Sequence, residues 1–205
     1  MTRPRLSVDP DYPTYAERHQ LREQYIREVM HTLNQHPNHH LIAITLKPVF
    51  STSEFWNKSH AESARYVGQC YQQIERQVNS IIVKNHQRAN KQHLLLKSHQ
   101  FVEITNKDNS IECPHSHGIL MIHPDVALKF ESLLVNPTLN ENTGVLSYDF
   151  KYSLLKGLSN QVHSVKLHYL SDVNGWMDYS TKQIARLGYP NAFTTGLMPA
   201  VNKAA

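Results

Sequence analysis

Apolar and polar positions alternate along this chain with two different periods, and the two periods predict different elements. Apolar residues at helical spacing predict helices over residues 14–35, 54–88, 124–135 and 174–187. Short β-prone runs predict strands over residues 41–46, 94–105, 115–123 and 162–170. Pro124 suits the first position of a helix, because the backbone N–H that proline lacks is not needed there.

The order of these elements predicts how they pack. Residues 106–109 are typical of a tight turn, so strand 115–123 should pair back on strand 94–105 as a hairpin. Residues 136–161 show no clear period and predict only a short helix near 150–156. Strands and helices mixed in this way predict an α+β fold, in which helices pack on a central, mainly antiparallel sheet.

Composition sets broad limits on the class of protein. The chain has 205 residues, of which 40% are hydrophobic and 19% charged, so a packed core is feasible. The 21 Lys and Arg against 17 Asp and Glu give a formal net charge of +4, which suits nucleic acid but excludes a dense basic tail. No apolar run approaches the roughly 20 residues that span a bilayer, so we expect no membrane partner. The two cysteines, Cys70 and Cys113, form no CxxC motif, which favours a reducing intracellular setting.

Two histidines at the start of a predicted strand are candidate metal ligands. Residues i and i+2 of a strand face the same side, so His115 and His117 should project together. Neutral imidazole is a common ligand of divalent first-row metals. The chain has 14 His, however, and at that density chance alone gives roughly one such pair. The alternative is two half-buried histidines that only make hydrogen bonds within the sheet.

A metal site here would need a third ligand, preferably a carboxylate. Glu103 lies on the preceding strand, and a hairpin would carry it back beside the histidine pair. Glu112 is closer in sequence but falls in the predicted turn region, so Glu103 is preferred and Glu112 stays open. Two imidazoles and one carboxylate would accept Mn²⁺ readily and tolerate Mg²⁺, with positions left for phosphate oxygens.

The last predicted helix presents a candidate nucleophile. Tyr179, Lys182, Gln183 and Arg186 are spaced as one polar stripe on that helix. A tyrosine hydroxyl, with a reference pKa of about 10, is a poor nucleophile at neutral pH unless a metal or a base assists it. Lys182 would place a compact positive charge near a phosphate oxygen. The alternative is a surface tyrosine and a solvated lysine, as any amphipathic helix can carry.

Three segments, in this order, resemble the motifs of the HUH endonuclease superfamily, in particular its rolling-circle replication initiators. Residues 42–48, Ile-Ala-Ile-Thr-Leu-Lys-Pro, look like the first motif, a strand that ends near a Thr-Leu pair. Residues 114–120 look like the second motif, in which His, an apolar residue and His bind metal, although Ser116 stands at the central position here. Residues 179–182 match the third motif, Tyr-x-x-Lys. Only one such motif stands in the sequence, so the chain resembles the single-tyrosine type.

The resemblance implies a reaction and a division of the chain. It implies a ferredoxin-like HUH endonuclease domain over residues 41–190. The sequence itself predicts an N-terminal arm and helix over 1–40 and a loosely ordered tail over 191–205. In the implied reaction Tyr179 attacks the scissile phosphate of single-stranded or hairpin DNA at a replication origin. The products are a 5′-phosphotyrosine and a free 3′-hydroxyl that primes synthesis.

The resemblance also implies roles and partners. Mn²⁺ or Mg²⁺, held by His115, His117 and Glu103, would polarise the phosphate, and Lys182 would steady the phosphate or the metal site. We expect DNA contacts from three further residues, Gln183, Arg186 and Lys47. The sequence lacks a GxxxxGK[ST] nucleotide-binding loop, so a separate helicase should unwind the DNA. The expected setting is the cytoplasm of a prokaryotic host or of a virus-infected cell.

Three other functions remain open at this point. A single-tyrosine transposase of an insertion sequence shares the histidine pair and places a Gln after the Tyr, as Gln183 follows Tyr179 here. The Thr-Leu strand motif and Lys182 favour an initiator instead. A non-catalytic origin-binding module could use the same fold. In a metallo-hydrolase, Tyr179 would be incidental.

Overall fold

Helices and strands are mixed along the part of the chain that the computed structural model describes, residues 14–49, 60–105, 111–158, 160–182 and 193–195. The strands are β1 (His40–Pro48), β2 (Lys97–Thr105), β3 (Ile111–Ile122), β4 (Leu134–Asn140), β5 (Val145–Phe150), β6 (Val162–Tyr169) and β7 (Phe193–Thr195). The helices are α1 (Tyr15–Asn34), α2 (His60–Ile82), α3 (Pro124–Glu131), α4 (Tyr152–Leu155) and α5 (Val173–Ser180). Two short 3₁₀ helices cover Ala89–Leu94 and Lys156–Leu158.

The described strands pair into one antiparallel sheet, in the order β4-β5-β6-β1-β3-β2-β7. Its centre follows the chain order β1-α2-β2-β3-α3-β6 and the spatial order β6-β1-β3-β2, which is the ferredoxin-like arrangement. The β4–β5 hairpin is inserted between α3 and β6 and widens the sheet beyond β6. The predicted α+β class, with helices packed on an antiparallel sheet, is confirmed.

Helices cover both faces of the central strands, because side chains alternate between the two faces of a strand. On the α2 face, Ile42, Ile44 and Leu46 of β1 are buried in a core that includes residues of α2, α3 and α4. On the opposite α1 face, residues of β2 and β3 pack against α1 and α5; the buried ones are Val29, Leu33, Phe101, Ile119, Met121 and Met177. Fully burying one such side chain contributes about 1.5–3 kcal/mol, so both faces hold the sheet in place.

The N-terminal helix begins at a capping box. The Thr14 backbone N–H donates to Glu17 Oε2 at 2.6 Å, and the Glu17 N–H donates to Thr14 Oγ1 at 3.3 Å. The same helix, which lies in the region assigned before residue 41, buries Val29 and Leu33 against the sheet. In the tail assigned to 191–205, residues 193–195 form β7 and pair with β2, and the rest of that tail lies outside the described residues.

Several predicted boundaries on the α2 side are wrong. The helix predicted to reach residue 88 ends at Ile82, and Asn85 then takes a left-handed conformation with φ of 57° that a helix cannot continue through. The strand predicted from residue 94 begins at Lys97, since residues 89–94 form a 3₁₀ helix. The Asn79 side chain accepts the Leu96 N–H at 2.8 Å and ties this connection to α2. Residues 54–59 of the predicted helix lie outside the described residues.

Other boundaries differ around β3 and beyond it. β3 begins at Ile111, so the backbone of Glu112 belongs to the strand and not to the predicted turn, whose residues 106–109 are not described. The helix predicted over 124–135 ends at Glu131, because β4 begins at Leu134. The helix predicted over 174–187 is interrupted at Thr181, after which Lys182 is again helical, and residues 183–187 lie outside the described residues. No helix in the described ranges is long and apolar enough to cross a membrane.

Gly118 in β3 is enclosed by atoms of neighbouring elements. A Cβ at this position would lie 2.6 Å from the His99 carbonyl oxygen and 3.0 Å from Tyr71 Oη. Because that carbonyl belongs to the paired strand, we expect Gly118→Ala to lower the free energy of unfolding by about 1–3 kcal/mol in urea titrations. Gly157→Ala is the matched control, since its Cβ would meet the flexible end of Gln77 at 3.2 Å. Equal stabilities of the two variants would contradict this expectation.

His99 should make the protein less stable in mild acid. The residue is 3% exposed, and among the described residues neither of its ring nitrogens has a hydrogen-bond partner. Burial lowers the pKa of His99 to about 4. The unfolded chain titrates near 6.5, so between about pH 4 and 6.5 it binds more protons, and stability falls as the pH falls.

We therefore expect His99→Leu to show a shallower pH dependence of the unfolding free energy over this window, measured by urea titrations at several pH values. His163→Gln, at an exposed position, should keep the wild-type slope. An unchanged slope in His99→Leu would show that His99 is not the group responsible.

Candidate metal centre and nucleophile

The pairing of β2 with β3 brings the three candidate ligands together. Glu103 lies opposite His115, and Phe101 lies opposite His117, so the carboxylate reaches both imidazoles on the α1 face. Glu103 Oε2 is 3.1 Å from His117 Nε2 and 3.6 Å from His115 Nε2. One ligand atom from each of the three residues lies within 4.8 Å of the other two. This buried cluster could hold a metal ion.

The structure thus places Glu103, the preferred third ligand, beside the histidine pair. Its alternative, Glu112, has a side chain outside the described residues. His115 and His117 both turn Nε2 towards the same oxygen, Glu103 Oε2. Two imidazoles and one carboxylate form a donor set that suits divalent first-row metals.

The electrostatics of the cluster favour the protonation states that a metal requires. Burial raises the pKa of Glu103, but hydrogen bonds from His115, His117 and Lys182 outweigh burial and hold that pKa well below its usual range. Burial lowers the pKa of His117, although its hydrogen bond to Glu103 acts in the opposite direction. At neutral pH the carboxylate is therefore ionised and the His117 ring neutral, as metal ligands must be.

Thr45 on β1 supports His117 from the side away from Glu103. The two residues are opposite each other in the β1–β3 register, and Thr45 Oγ1 lies 3.0 Å from His117 Nδ1. While Nε2 donates to the Glu103 carboxylate, the neutral ring accepts a hydrogen bond from the Thr45 hydroxyl at Nδ1. A metal on Nε2 would need the ring proton on Nδ1, from where it would donate to Thr45 Oγ1. Such an outer hydrogen bond fixes the orientation of a ligating histidine. The Thr of the Thr-Leu motif thus contacts one of the candidate metal ligands and can fix the orientation of its ring.

α5 carries Tyr179 to the edge of the cluster. Trp176 Nε1 donates to the Gly118 carbonyl at 3.0 Å, and Met177 is buried in the core of the α1 face. These contacts place the Tyr179 ring 4.8 Å from the His117 ring, between centroids. Tyr179 is 47% exposed, so the side chain is open to solvent.

Lys182 contacts both the cluster and the tyrosine. Its Nζ lies 3.0 Å from Glu103 Oε2 and 3.9 Å from the centroid of the Tyr179 ring, where the ring face attracts a cation. α5 ends at Ser180 with Thr181 as its C-cap, and Lys182 follows this break as a helical residue. The spacing of three residues nevertheless keeps Lys182 beside Tyr179.

Trp176 is a site residue that sequence reasoning missed. Its ring lies 5.6 Å from the rings of both His117 and Tyr179, between centroids. The available signal was its position three residues before Tyr179, which puts both side chains on one face of a helix. A tryptophan at that position is equally typical of a helix that merely buries an apolar side, so the spacing alone does not identify the site.

Of the three residues expected to contact DNA, the structure describes only Lys47. Lys47 is exposed and stands two residues beyond Thr45, so its side chain leaves the same face of β1. Gln183 and Arg186 lie outside the described residues.

Comparisons with known proteins identify no relative of this chain, so any function must be argued from the geometry of the site. No known family model, no curated protein and no solved structure matches this chain. The features that bear on function are the three-ligand cluster, the exposed Tyr179 beside it and the Lys182 ammonium that contacts both.

Removing the Thr45 hydroxyl should weaken metal binding. Thr45→Val keeps the shape of the side chain but loses the hydrogen bond to His117, and we expect about 10–100-fold lower affinity for Co²⁺ in calorimetric titrations. Thr138→Val, at an exposed position on β4, should bind as the wild type does. Glu103→Ala removes one of the three candidate ligands, so its Co²⁺ affinity measures the binding that does not depend on the complete cluster. Wild-type affinity in Thr45→Val would exclude the supporting role.

Proposed function

We propose that this chain is an endonuclease and strand transferase of the HUH type. It nicks and rejoins single-stranded DNA and so initiates rolling-circle replication of a plasmid, phage or virus. The observation that carries the proposal is the convergence of Tyr179 and Lys182 on the metal-binding cluster. The Tyr179 ring is 4.8 Å from the His117 ring, and Lys182 Nζ is 3.0 Å from Glu103 Oε2.

The donor set fits the metals that such a reaction uses. Glu103, His115 and His117 would hold Mn²⁺, and would hold Mg²⁺ less well because Mg²⁺ prefers oxygen to nitrogen ligands. Three protein ligands leave coordination positions for phosphate oxygens. When bound, the ion supplies Lewis-acid polarisation of the phosphate.

The residues of the chain account for the remaining chemistry. Tyr179 Oη forms a bond to the phosphorus while the bond from phosphorus to the 3′ oxygen breaks. The phenolic proton passes to solvent, to which Tyr179 is exposed, and the departing 3′ oxygen takes up a proton to become a hydroxyl. Attack of a 3′-hydroxyl on the 5′-phosphotyrosine reverses these steps and rejoins a strand.

Lys182 supplies fixed positive charge at this point. Its ammonium lies next to the Tyr179 ring and the Glu103 carboxylate, where a scissile phosphate would approach both. A compact cation held there stabilises the negative charge that develops on the phosphate oxygens during attack.

The surroundings of Tyr179 suit an unpaired strand. Tyr179 is exposed, and Trp176 is partly exposed at 5.6 Å from it, with the two rings inclined by 30°. Aromatic faces of this kind stack on bases in single strands, whereas bases inside a duplex are already stacked. We therefore propose single-stranded or hairpin origin DNA as the substrate, with a separate helicase as the partner that unwinds it.

The covalent intermediate gives the sharpest test. We mix the full chain, Mn²⁺ and a labelled pool of single-stranded and hairpin oligonucleotides, and look for a protein–DNA band on a denaturing gel. Tyr179→Phe should lose this band at least about 10³-fold and keep DNA binding, because only the attacking oxygen is removed. Tyr152→Phe is the matched control, since Tyr152 is 73% exposed on α4, which packs on the α2 face.

The other outcomes separate the alternatives. Without a metal-dependent band for the wild type across a wide pool, the proposal fails and a binding module is favoured. Cleavage without an adduct, undiminished in Tyr179→Phe, would indicate a metallo-hydrolase. Preference for the ends of an insertion sequence over origin hairpins would indicate a transposase.

A further inference from the structure

Arg22 of α1 contacts the end of the helix that carries Tyr179. Its Nη2 donates to Asp178 Oδ1 at 2.6 Å and to the Asp178 carbonyl at 3.4 Å, and its Nε donates to Thr181 Oγ1 at 3.0 Å. The Arg22 side chain is only 16% exposed. One half-buried guanidinium therefore engages three groups at the C-terminus of α5.

The contact has the chemistry of a helix cap. The last carbonyls of a helix lack intrahelical partners and favour a nearby cation. The Thr181 hydroxyl donates to the Met177 carbonyl at 2.6 Å and accepts from Arg22, so it connects the last turn of α5 to α1. A planar guanidinium can satisfy these directions at once, whereas an ammonium cannot.

The residues that Arg22 contacts stand on either side of the proposed nucleophile. Asp178 precedes Tyr179, and Thr181 precedes Lys182. α5 has only eight residues, so its last turn is where such a short helix would fray. A shift of that turn would move both the Tyr179 ring and the Lys182 ammonium relative to the cluster on β2 and β3.

The helix α1, which carries Arg22, is itself packed on the sheet. Val29 and Leu33 are buried against the sheet, in the same apolar core as Met177 of α5. Arg22 thus extends from a helix that is itself fixed on the strands carrying the metal ligands.

We infer that Arg22 is a positioning residue for the proposed nicking reaction. It holds the end of α5 so that Tyr179 and Lys182 keep their places beside Glu103 and His117. This inference rests on the proposed function. It adds α1 to the site, although the three sequence motifs all lie after residue 41.

The kinetic test compares three full-length variants on one cleavable oligonucleotide. We expect Arg22→Met to lower kcat about 10–100-fold with KM changed less than about 3-fold, because misplacing a reacting group slows the chemical step more than binding. Arg22→Lys should recover part of the rate. Arg27→Met, at an exposed position of the same helix, should match the wild type. Equal rates for Arg22→Met and Arg27→Met would overturn the inference.

A second measurement needs no DNA and so separates this inference from the proposed function. The Thr181 N–H donates to the Met177 carbonyl at 2.9 Å, and its hydrogen exchange reports on the last turn of α5. In Arg22→Met we expect at least about 10-fold faster exchange at Thr181, with the amide of Ile119 in β3 unchanged. Unchanged exchange at Thr181, or an equal increase at both amides, would overturn the positioning role even if the wild type cleaves DNA.

Discussion

The antiparallel register of β2 and β3 is the constraint on which the rest of the structure depends. It sets Glu103 opposite His115 and leaves His117 two residues along on the same face, so that one carboxylate oxygen meets both imidazoles. A slip of one residue would turn the carboxylate to the α2 face and put a charge into an apolar core. Gly118 is part of the same constraint, because the His99 carbonyl leaves no room for a Cβ beside it.

The register also explains how the fold tolerates a buried carboxylate. Glu103 is 7% exposed, and a lone charge at that depth would be costly. Two imidazoles and the Lys182 ammonium compensate for the burial, and the pKa of the carboxyl falls instead of rising. Of these compensating groups, Lys182 comes from a segment near the end of the chain. The site is therefore also a point at which the C-terminal part of the described chain is held on the central sheet.

Sequence reasoning recovered the features that depend on local patterns. Short β-prone runs predicted β1, β2, β3 and β6, and the i, i+2 rule predicted a common face for the histidine pair. It failed for the β4–β5 hairpin, because neither strand buries one face and exposes the other, and Asn136, with φ of 53°, and Pro137 further interrupt β4. The choice of Glu103 over Glu112 as the third ligand depends on which residue lies opposite His115 in the hairpin. The sequence alone does not define the shape of the turn, so it does not define this register.

The two halves of the site differ in how they are held, and this explains why part of it could not be found from motifs. The three candidate metal ligands lie on paired central strands, where hydrogen bonds between neighbouring strands fix the backbone that carries each side chain. Tyr179 lies in the last turn of a short helix, which cannot fix itself and requires support from elsewhere in the fold. Arg22 gives that support from 156 residues away in sequence, a separation at which no spacing rule applies. A sequence motif records the groups that react, whereas the groups that hold them in place are defined only once the chain has folded.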